Sequence, residues 1–304
     1  MIDHMNLYAN CTLCPRKCGV NRNHGEKGFC GMTNELVLAR AALHQWEEPC
    51  ISGTNGSGTV FFSGCSLRCV YCQNYIIANC GNGKIATAER LADIFLELQA
   101  KKAHNINLVT GTHYVPHIIT AISDAKKRGL NIPVVYNTSG YETVENIKRL
   151  EGLIDIYMPD FKYFDNTAAQ KYSNAHDYAD YAVSAIREML FQTGKAVFDS
   201  AGVMQKGVIV RHLVLPGNIK NSKAVLEFLY RTFGDDIYIS VMSQYTPMKH
   251  INGDKYKELT RSLTNGEYSF IVNYAIKIGI KNGFMQEGTA AEESFIPEFD
   301  NEGV

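Results

Sequence analysis

The stretch that decides the fold is residues 61–74, which read FFSGCSLRCVYCQN. Its three cysteines, Cys65, Cys69 and Cys72, have the spacing C-x3-C-x2-C, and thiolates this close together favour zinc or an iron–sulfur cluster. Three local ligands would leave one iron of a four-iron cluster without a protein ligand, and catalytic metal sites keep such an open position. The alternatives are a three-cysteine zinc knuckle and a set of buried apolar cysteines.

The rest of the chain beyond residue 58 alternates strand-like apolar runs with segments of helical periodicity. Such repeats predict a parallel sheet with right-handed crossovers and an active site at the carboxyl ends of its strands. Six strong strands favour an α/β fold with a partial (β/α)6 TIM-like barrel over a doubly wound open sheet, although strand number alone does not decide. The predicted strands are 60–62, 106–109, 132–136, 153–158, 208–214, 237–242 and a short 283–286, and the predicted helices are 87–101, 116–127, 144–150, 168–172, 178–193, 222–233, 255–263 and 267–278.

The first 57 residues differ from this barrel segment, residues 58–304, and form a cysteine-rich N-terminal extension with one strand predicted at 36–39. Cys11, Cys14, Cys18 and Cys30 have the spacing C-x2-C-x3-C-x11-C. Because the extension has little hydrophobic periodicity, we expect the four thiolates to hold a second metal that orders it. Zinc is slightly favoured over a second iron–sulfur cluster, and the alternative is a loop with four unpaired thiols.

Composition limits the classes of function. The 30 basic and 31 acidic residues give a formal charge of −1, which offers no electrostatic case for binding nucleic acid or an anionic membrane. Residues 1–5 lack the layout of a signal peptide, and no apolar run approaches membrane-spanning length. Nine cysteines without an export signal indicate reduced thiols rather than disulfides. We therefore expect a cytoplasmic protein.

Polar residues follow four of the predicted strands, where a barrel would carry its chemistry. Asp160 and Lys162 alternate along the chain, so their side chains point the same way, and burying both is costly unless they meet a partner such as a zwitterionic ligand. The alternatives are an exposed ion pair for these two, an ordinary polar turn for Asn137 and Ser139, and a structural charge near the rim for Arg211 and His212. The remaining candidates are Gly111, Asn137, Ser139, Arg211 and His212.

The motif C-x3-C-x2-C, with Tyr71 just before its third cysteine, resembles the signature of the radical S-adenosylmethionine (SAM) superfamily. The resemblance implies a [4Fe–4S] cluster on Cys65, Cys69 and Cys72, with the amino and carboxylate groups of SAM on the open iron. It also implies that Tyr71 packs against adenine or the cluster. The family's glycine-rich GGE-like element is reduced here to Gly111, without the acid.

A wider resemblance to PflX-type radical SAM proteins, relatives of the pyruvate formate-lyase activating enzyme, runs from about residue 11 to residue 287. It rests on residues 11–16, 136–141, 159–162, 211–217 and 243–245. It implies that Asn137, Ser139, Asp160, Lys162, and Arg211 or His212 contact SAM or substrate. A one-electron donor such as flavodoxin or ferredoxin is also implied.

The implied activity is reductive cleavage of SAM to a 5′-deoxyadenosyl radical that abstracts a hydrogen atom. A glycine of a partner protein, a glycyl radical enzyme, is the first candidate substrate, and a small molecule or peptide side chain is the alternative. A non-catalytic electron-transfer or zinc-binding module is a third hypothesis. The size of the chain is against it, since an electron carrier has no need of a large barrel with polar strand ends.

Overall fold

The centre of the molecule is a mixed sheet with helices packed on its outer side. The computed structural model describes residues 4–286 and 297–304, and this part of the chain forms ten strands. The strands are Leu36–His44 (β1), Ser57–Phe62 (β2), Lys84–Ala86 (β3), Ile106–Val109 (β4), Val134–Thr138 (β5), Ile156–Pro159 (β6), Val197–Phe198 (β7), Met204–Leu213 (β8), Tyr238–Met242 (β9) and Gly283–Met285 (β10). The α-helices are Pro49–Ser52 (α1), Tyr75–Cys80 (α2), Ala88–Ala100 (α3), Val115–Lys127 (α4), Val144–Lys148 (α5), Asn166–Ser173 (α6), Tyr178–Thr193 (α7), Ile219–Phe233 (α8) and Asn265–Ile278 (α9).

The order of the strands identifies a partial barrel. Along the sheet the order is β10-β9-β8-β6-β5-β4-β2-β1-β3, and β7 pairs with β8 outside this path. The seven strands from β10 to β2 are parallel, whereas β1 runs antiparallel to both β2 and β3. Within the described ranges β3 and β10 are the edge strands of the sheet and do not pair with each other, so the barrel does not close. The predicted α/β fold with a partial (β/α)6 barrel is therefore confirmed.

The strand β1 connects the N-terminal extension to this sheet. Leu36, Leu38, Ala39 and Ala41 are buried, and β1 pairs with β2 along most of its length. The sheet thus begins inside residues 1–57, and the cysteine-rich part of the extension lies before residue 36. Residues 297–304 lie against the same strand, where the Ala41 amide donates to the Glu302 carbonyl over 2.8 Å.

One predicted helix is wrong. Residues 255–263 contain only a short 3-10 helix, Lys257–Thr260. The Asn252 side chain accepts hydrogen bonds from the amides of Asp254 and Lys255, which favours a turn over a helix start. By contrast, Thr87 accepts a hydrogen bond from the Arg90 amide and caps α3, as expected. None of the helices in the described ranges is long and apolar enough to cross a membrane.

Candidate active site

A cavity of about 830 Å³ lies inside the barrel and reaches the carboxyl ends of the parallel strands. The cysteine loop follows β2 at this edge. Residues 45–53 lie at the opposite edge, where the parallel strands begin. They follow His44, which pairs with Ser57, the first residue of β2. The cavity therefore extends between the two edges of the sheet. Of the residues predicted from the sequence, its lining contains Cys65, Cys69, Cys72, Tyr71, Asn137, Ser139, Asp160, Lys162 and Arg211.

The cysteine loop is held in a conformation that directs donors at sulfur. The Cys65 Sγ accepts hydrogen bonds from the amides of Leu67 and Arg68 over 3.3 and 3.5 Å. The Ser173 hydroxyl donates to the Cys69 Sγ over 3.0 Å. Gly64 starts the loop with φ +84°, and a Cβ there would overlap the Met32 side chain. The loop therefore needs glycine at this position for both its backbone conformation and its packing.

The chemistry of these three thiols fits an iron–sulfur cluster. Burial raises the pKa of Cys65 and of Cys72, so a bound metal must compensate for thiolate charge. In residues 4–286 and 297–304 no three His, Cys, Asp or Glu side chains are grouped tightly enough to hold one metal ion. A cluster spreads its ligands over separate irons and does not need that grouping.

Tyr71 lies under the loop and lines the cavity. Its hydroxyl is 2.7 Å from the Tyr163 hydroxyl, and its ring meets those of Tyr172 and Tyr245 edge-on at 6.3 Å. The Tyr163 hydroxyl is in turn 2.8 Å from the Ser173 hydroxyl that bonds Cys69. Tyr71 therefore contributes an aromatic wall whose orientation is fixed by other tyrosines.

Asp160, Lys162 and Arg211 form a buried ion-pair network at the strand ends. The Lys162 Nζ lies 2.6 Å from one Asp160 oxygen and the Arg211 Nε lies 3.1 Å from the other. Only 12% to 15% of each side chain is exposed, so the exposed-ion-pair alternative is wrong. Burial alone would raise the pKa of Asp160, but the two cations lower it below its ordinary value. Burial also opposes the charge on Lys162, yet Asp160 raises its pKa overall.

Arg211 extends the network to the opposite side of the cavity. It donates to the Asn137 Oδ1 over 2.6 Å and lies 3.3 Å from a Glu47 oxygen. The Asn107 amide donates to the other Glu47 oxygen over 2.9 Å. Next to Asn137, the Ser139 Oγ is buried without a hydrogen-bond partner. Sequence reasoning missed Glu47 and its neighbour Glu48, because residues 45–53 carry no periodic pattern that assigns them to a strand end.

Two sequence-predicted contacts, His212 and Gly111, are contradicted. His212 is fully buried outside the cavity lining, with its ring nitrogens bonded to the Phe161 carbonyl and the Ser222 hydroxyl. Burial lowers its pKa to about 4, so it is neutral near pH 7. Side chains alternate along β8, so Arg211 faces the cavity and His212 faces the helices. Gly111 is packed against Ile118, and Thr110 lines the cavity in its place.

The turn after β4 depends on a buried carboxylate that the sequence also failed to reveal. Glu142 is fully buried, and its Oε1 accepts hydrogen bonds from Thr112 and Thr138, each over 2.5 Å, and from Tyr136 over 3.2 Å. Burial raises its pKa to about 7 although these donors lower it. Thr112 is therefore committed to the protein and is not free for a ligand.

The four N-terminal cysteines lie together outside the cavity. Cys11, Cys14 and Cys30 are buried and Cys18 is half-buried. The Phe29 amide donates to the Cys18 Sγ over 3.2 Å. A Cβ on Gly28 would lie 3.5 Å from the Cys18 Sγ and 3.7 Å from the Cys30 Sγ, so the missing side chain leaves room between two thiols.

A buried arginine faces this N-terminal group. Arg22 is fully buried, and its guanidinium lies 3.8 Å from the Cys11 Sγ and 4.4 Å from the centre of the Tyr8 ring. It donates to the carbonyls of Thr33 and His113, and no carboxylate pairs with it in the described ranges. An unpaired buried cation is unfavourable, and thiolates are the anions available to it.

Two arginines join the N-terminal group to the cysteine loop. Arg16, between Cys14 and Cys18, donates to the carbonyls of Ser66 and Ser173 over 2.9 Å each. Arg68 reaches back to the Phe29 carbonyl over 3.1 Å. The extension is therefore packed directly on the loop that carries Cys65, Cys69 and Cys72.

Known proteins are similar to this chain in sequence and in structure. A protein of Methanocaldococcus jannaschii, "Uncharacterized protein MJ0674", is 29% identical over 283 residues, covering 90% of this chain and 77% of its own. Methylornithine synthase (PylB) is similar in structure, with a TM-score of 0.50 and 15% identity over 90% of this chain and 68% of that one. Streptococcus suis SuiB bound to S-adenosylmethionine matches with a TM-score of 0.49 and 12% identity over 74% of this chain. This chain spans about half the length of SuiB, 48%.

The family comparison covers the barrel segment that contains the cysteine loop. Residues 59–198 match the profile of the Radical SAM superfamily, a range that includes Cys65, Cys69, Cys72, Asp160 and Lys162. The likeness to PylB supports the same fold. Residues 59–198 are therefore similar to the radical SAM superfamily.

Proposed function

We propose that this protein is a radical SAM enzyme that holds a [4Fe–4S] cluster on Cys65, Cys69 and Cys72. The observation that carries the proposal is that these three thiols share one cavity with the network of Asp160, Lys162 and Arg211. When bound, the cluster and SAM would supply one-electron cleavage of the sulfonium and a 5′-deoxyadenosyl radical that takes a hydrogen atom from the substrate.

The residues of the chain bind and orient in this proposal. The Lys162 ammonium acts electrostatically on all three cysteines, so it is close to any ligand of the open iron. We assign it to the carboxylate of SAM, with Asp160 fixing its position. Asn137 and Ser139 would bond the ribose, and the aromatic wall at Tyr71 would exclude water.

The N-terminal thiols Cys11, Cys14, Cys18 and Cys30 would hold a second metal group, either zinc or an auxiliary iron–sulfur cluster. Four thiols beside the unpaired Arg22 cation support thiolate ligation, because bound thiolates would balance its charge. Zinc would have to draw the thiols closer together, since the described residues hold no tight grouping for one ion. The group would brace the extension against the cysteine loop through Arg16.

The substrate in this proposal is a glycine of a partner protein, as in glycyl radical enzyme activation, with a small molecule or peptide side chain as the second candidate. Flavodoxin or ferredoxin would supply the electron. The proposal is oxidoreductase chemistry in either case, and the cytoplasm suits its reduced thiols.

The test is anaerobic reconstitution with iron and sulfide, followed by SAM and dithionite. We expect 5′-deoxyadenosine and methionine in equal amounts. A protein that binds about four irons at Cys65, Cys69 and Cys72 but forms no 5′-deoxyadenosine would contradict the enzyme and leave an electron-transfer module.

A further inference from the structure

We propose that the substrate carries a cationic ammonium or guanidinium group that pairs with Glu48 at the amino edge of the barrel. The inference rests on the proposed function and names the chemical class of its substrate. It comes from a charge in the cavity that the radical chemistry and SAM do not use.

The cavity lining has more negatively charged side chains than positively charged ones. Among the described residues its lining has three carboxylates, Glu47, Glu48 and Asp160, and two permanent cations, Lys162 and Arg211. His44 also lines it, but burial and Arg40 lower the pKa of its ring, which is therefore neutral near pH 7. One negative charge is left without a partner in an enclosed space, where electrostatic interactions are strong.

Among the described residues the direct ion pairs leave Glu48 without a contacting cation, although the Arg211 guanidinium also acts on it electrostatically. Asp160 pairs with Lys162 and Arg211, and Arg211 also pairs with Glu47. Glu48 has no ion pair in the described part of the chain. Only 8% of Glu48 is exposed, and its Oε2 has no hydrogen-bond partner. A buried carboxylate oxygen without a donor is costly, and a bound cation would remove that cost.

The environment of Glu48 is consistent with a carboxylate that awaits a donor. Burial raises its pKa, and Arg211 and a hydrogen bond from Ser240 only partly oppose this. An incoming cation would favour the charged form, as a lysine or arginine does beside a carboxylate.

The backbone fixes Glu48 in place. Glu48 precedes α1, and its carbonyl accepts hydrogen bonds from the amides of Ile51 and Ser52 over 2.7 and 3.0 Å. The Ser52 hydroxyl accepts another from the Glu47 amide over 3.0 Å. The two acids are thus presented by a rigid turn, which suits a binding site more than a mobile loop does.

Aromatic rings complete a site of this kind. Trp46, the single tryptophan of the chain, is 59% exposed and lines the cavity with Phe61 and Phe284. Ring faces attract cations and supply apolar contact for the carbon chain that carries them. The Glu48 carboxylate favours a positive charge on the substrate, and the aromatic rings favour an attached carbon chain. Together they select an organic cation over an anionic or neutral substrate.

The experiment measures binding by fluorine NMR with three probes of matched shape. These are 4-fluorobenzylamine, 4-fluorobenzyl alcohol and 4-fluorobenzoate, which are cationic, neutral and anionic at pH 7. The protein is the reconstituted full chain, with and without SAM. We expect the amine to bind about tenfold tighter than the alcohol, and the benzoate to bind weakest.

Two variants locate the preference. Glu48→Gln should reduce the amine preference to less than about twofold, while Glu48→Asp should retain part of it. The matched control Glu89→Gln makes the same change on an exposed residue of α3 and should keep the full preference. Equal binding of amine and alcohol to the unchanged protein, or a preference that survives Glu48→Gln, would overturn the inference.

Competition distinguishes the two sources of such a cation. Displacement of the probe by n-butylamine alone supports a small amine substrate, and displacement also by a blocked Gly-Lys-Gly peptide supports a peptide side chain. Failure of both to displace it contradicts an amine site. None of these readouts needs SAM cleavage. Absence of 5′-deoxyadenosine therefore tests the proposed function, and absence of the amine preference tests this inference.

Discussion

The two cysteine groups of this protein differ in number, in access to the cavity and in neighbouring charge. Cys65, Cys69 and Cys72 line a large cavity, whereas Cys11, Cys14, Cys18 and Cys30 do not. Both groups accept backbone amide hydrogen bonds at sulfur. Three thiols facing a cavity leave room for an exchangeable ligand, whereas four thiols can fill every position on a metal. The comparison indicates catalysis at the first group and structure or electron relay at the second.

The cation next to each cysteine group also differs, because one has a carboxylate partner and the other has none in the described ranges. Lys162 beside the cavity is already paired with Asp160, so its charge is held in place until a ligand arrives. Arg22 beside the N-terminal group has no carboxylate partner in the described ranges and contacts Cys11. The first arrangement suits exchange of a charged ligand, and the second suits a permanent anion.

The largest effect should come from Cys69→Ala. It removes one of three ligands and the sulfur that accepts from Ser173, so the catalytic cluster and all 5′-deoxyadenosine formation should be lost. The matched control is Cys80→Ala, because Cys80 is exposed and belongs to neither group. Product and iron content are measured together. Retained SAM cleavage in Cys69→Ala would contradict the assignment.

The next effect concerns the second metal. A variant with Cys65, Cys69 and Cys72 all replaced by alanine should keep the N-terminal group intact. Metal analysis of anaerobically purified protein should find about one zinc per chain, or iron with sulfide for an auxiliary cluster. Adding Cys14→Ala should abolish it. Four titratable thiols with neither metal would rule the second site out.

A smaller effect is expected from Lys162→Ala and Asp160→Asn. Each removes a charge-assisted contact from the cavity and leaves every cysteine in place. We expect SAM affinity or turnover to fall roughly ten- to a hundredfold with iron content unchanged. Lys195→Ala, which removes a lysine from an exposed ion pair, is the control. Wild-type binding and turnover in both cavity variants would show that the network serves the fold alone.

The last effect is on stability rather than activity, and it concerns the turn after β4. The Arg22 guanidinium bonds the His113 carbonyl, and the neighbouring Thr112 donates to Glu142. Because the pKa of Glu142 rises from 4.5 to about 7 on folding, its contribution to stability is present below pH 4.5 and is lost as the pH rises through 7. Glu142→Gln should remove about 3 kcal/mol of this pH dependence.

The measurement for Glu142 is denaturant unfolding of the anaerobic protein between pH 4.5 and 8. Glu151→Gln, an exposed change, should leave the profile as it is. If the unfolding free energy depends on pH with the same slope in the wild type and in Glu142→Gln, the pKa of this carboxyl group is not raised on folding.

Sequence reasoning recovered the elements that depend on local pattern. All six strong strands and the loop of Cys65, Cys69 and Cys72 follow from apolar runs and cysteine spacing. Lys162 and Asp160 were found because they follow a buried strand with the alternation of an extended chain. The same alternation, applied to Arg211 and His212, would have shown that only one of them can face the cavity.

Other features depend on contacts between distant segments and could not be predicted. Glu47 and Glu48 belong to a turn without periodicity, and they reach the cavity only because β1 pairs with β2. Glu142 accepts from three hydroxyl donors, and one of them, Thr112, lies 30 residues away in the chain. The joining role of Arg16 depends on its packing against Ser66 and Ser173, which lie 50 and 157 residues away in the chain.

The difference between the two cysteine groups is tested most directly by electron paramagnetic resonance of the reduced protein with and without SAM. In the wild type, SAM should change the spectrum of the cluster on Cys65, Cys69 and Cys72, because one iron is open to it. In the variant without these three cysteines, any remaining signal should be unaffected by SAM. A spectrum that responds to SAM in that variant would contradict the assignment of the open site.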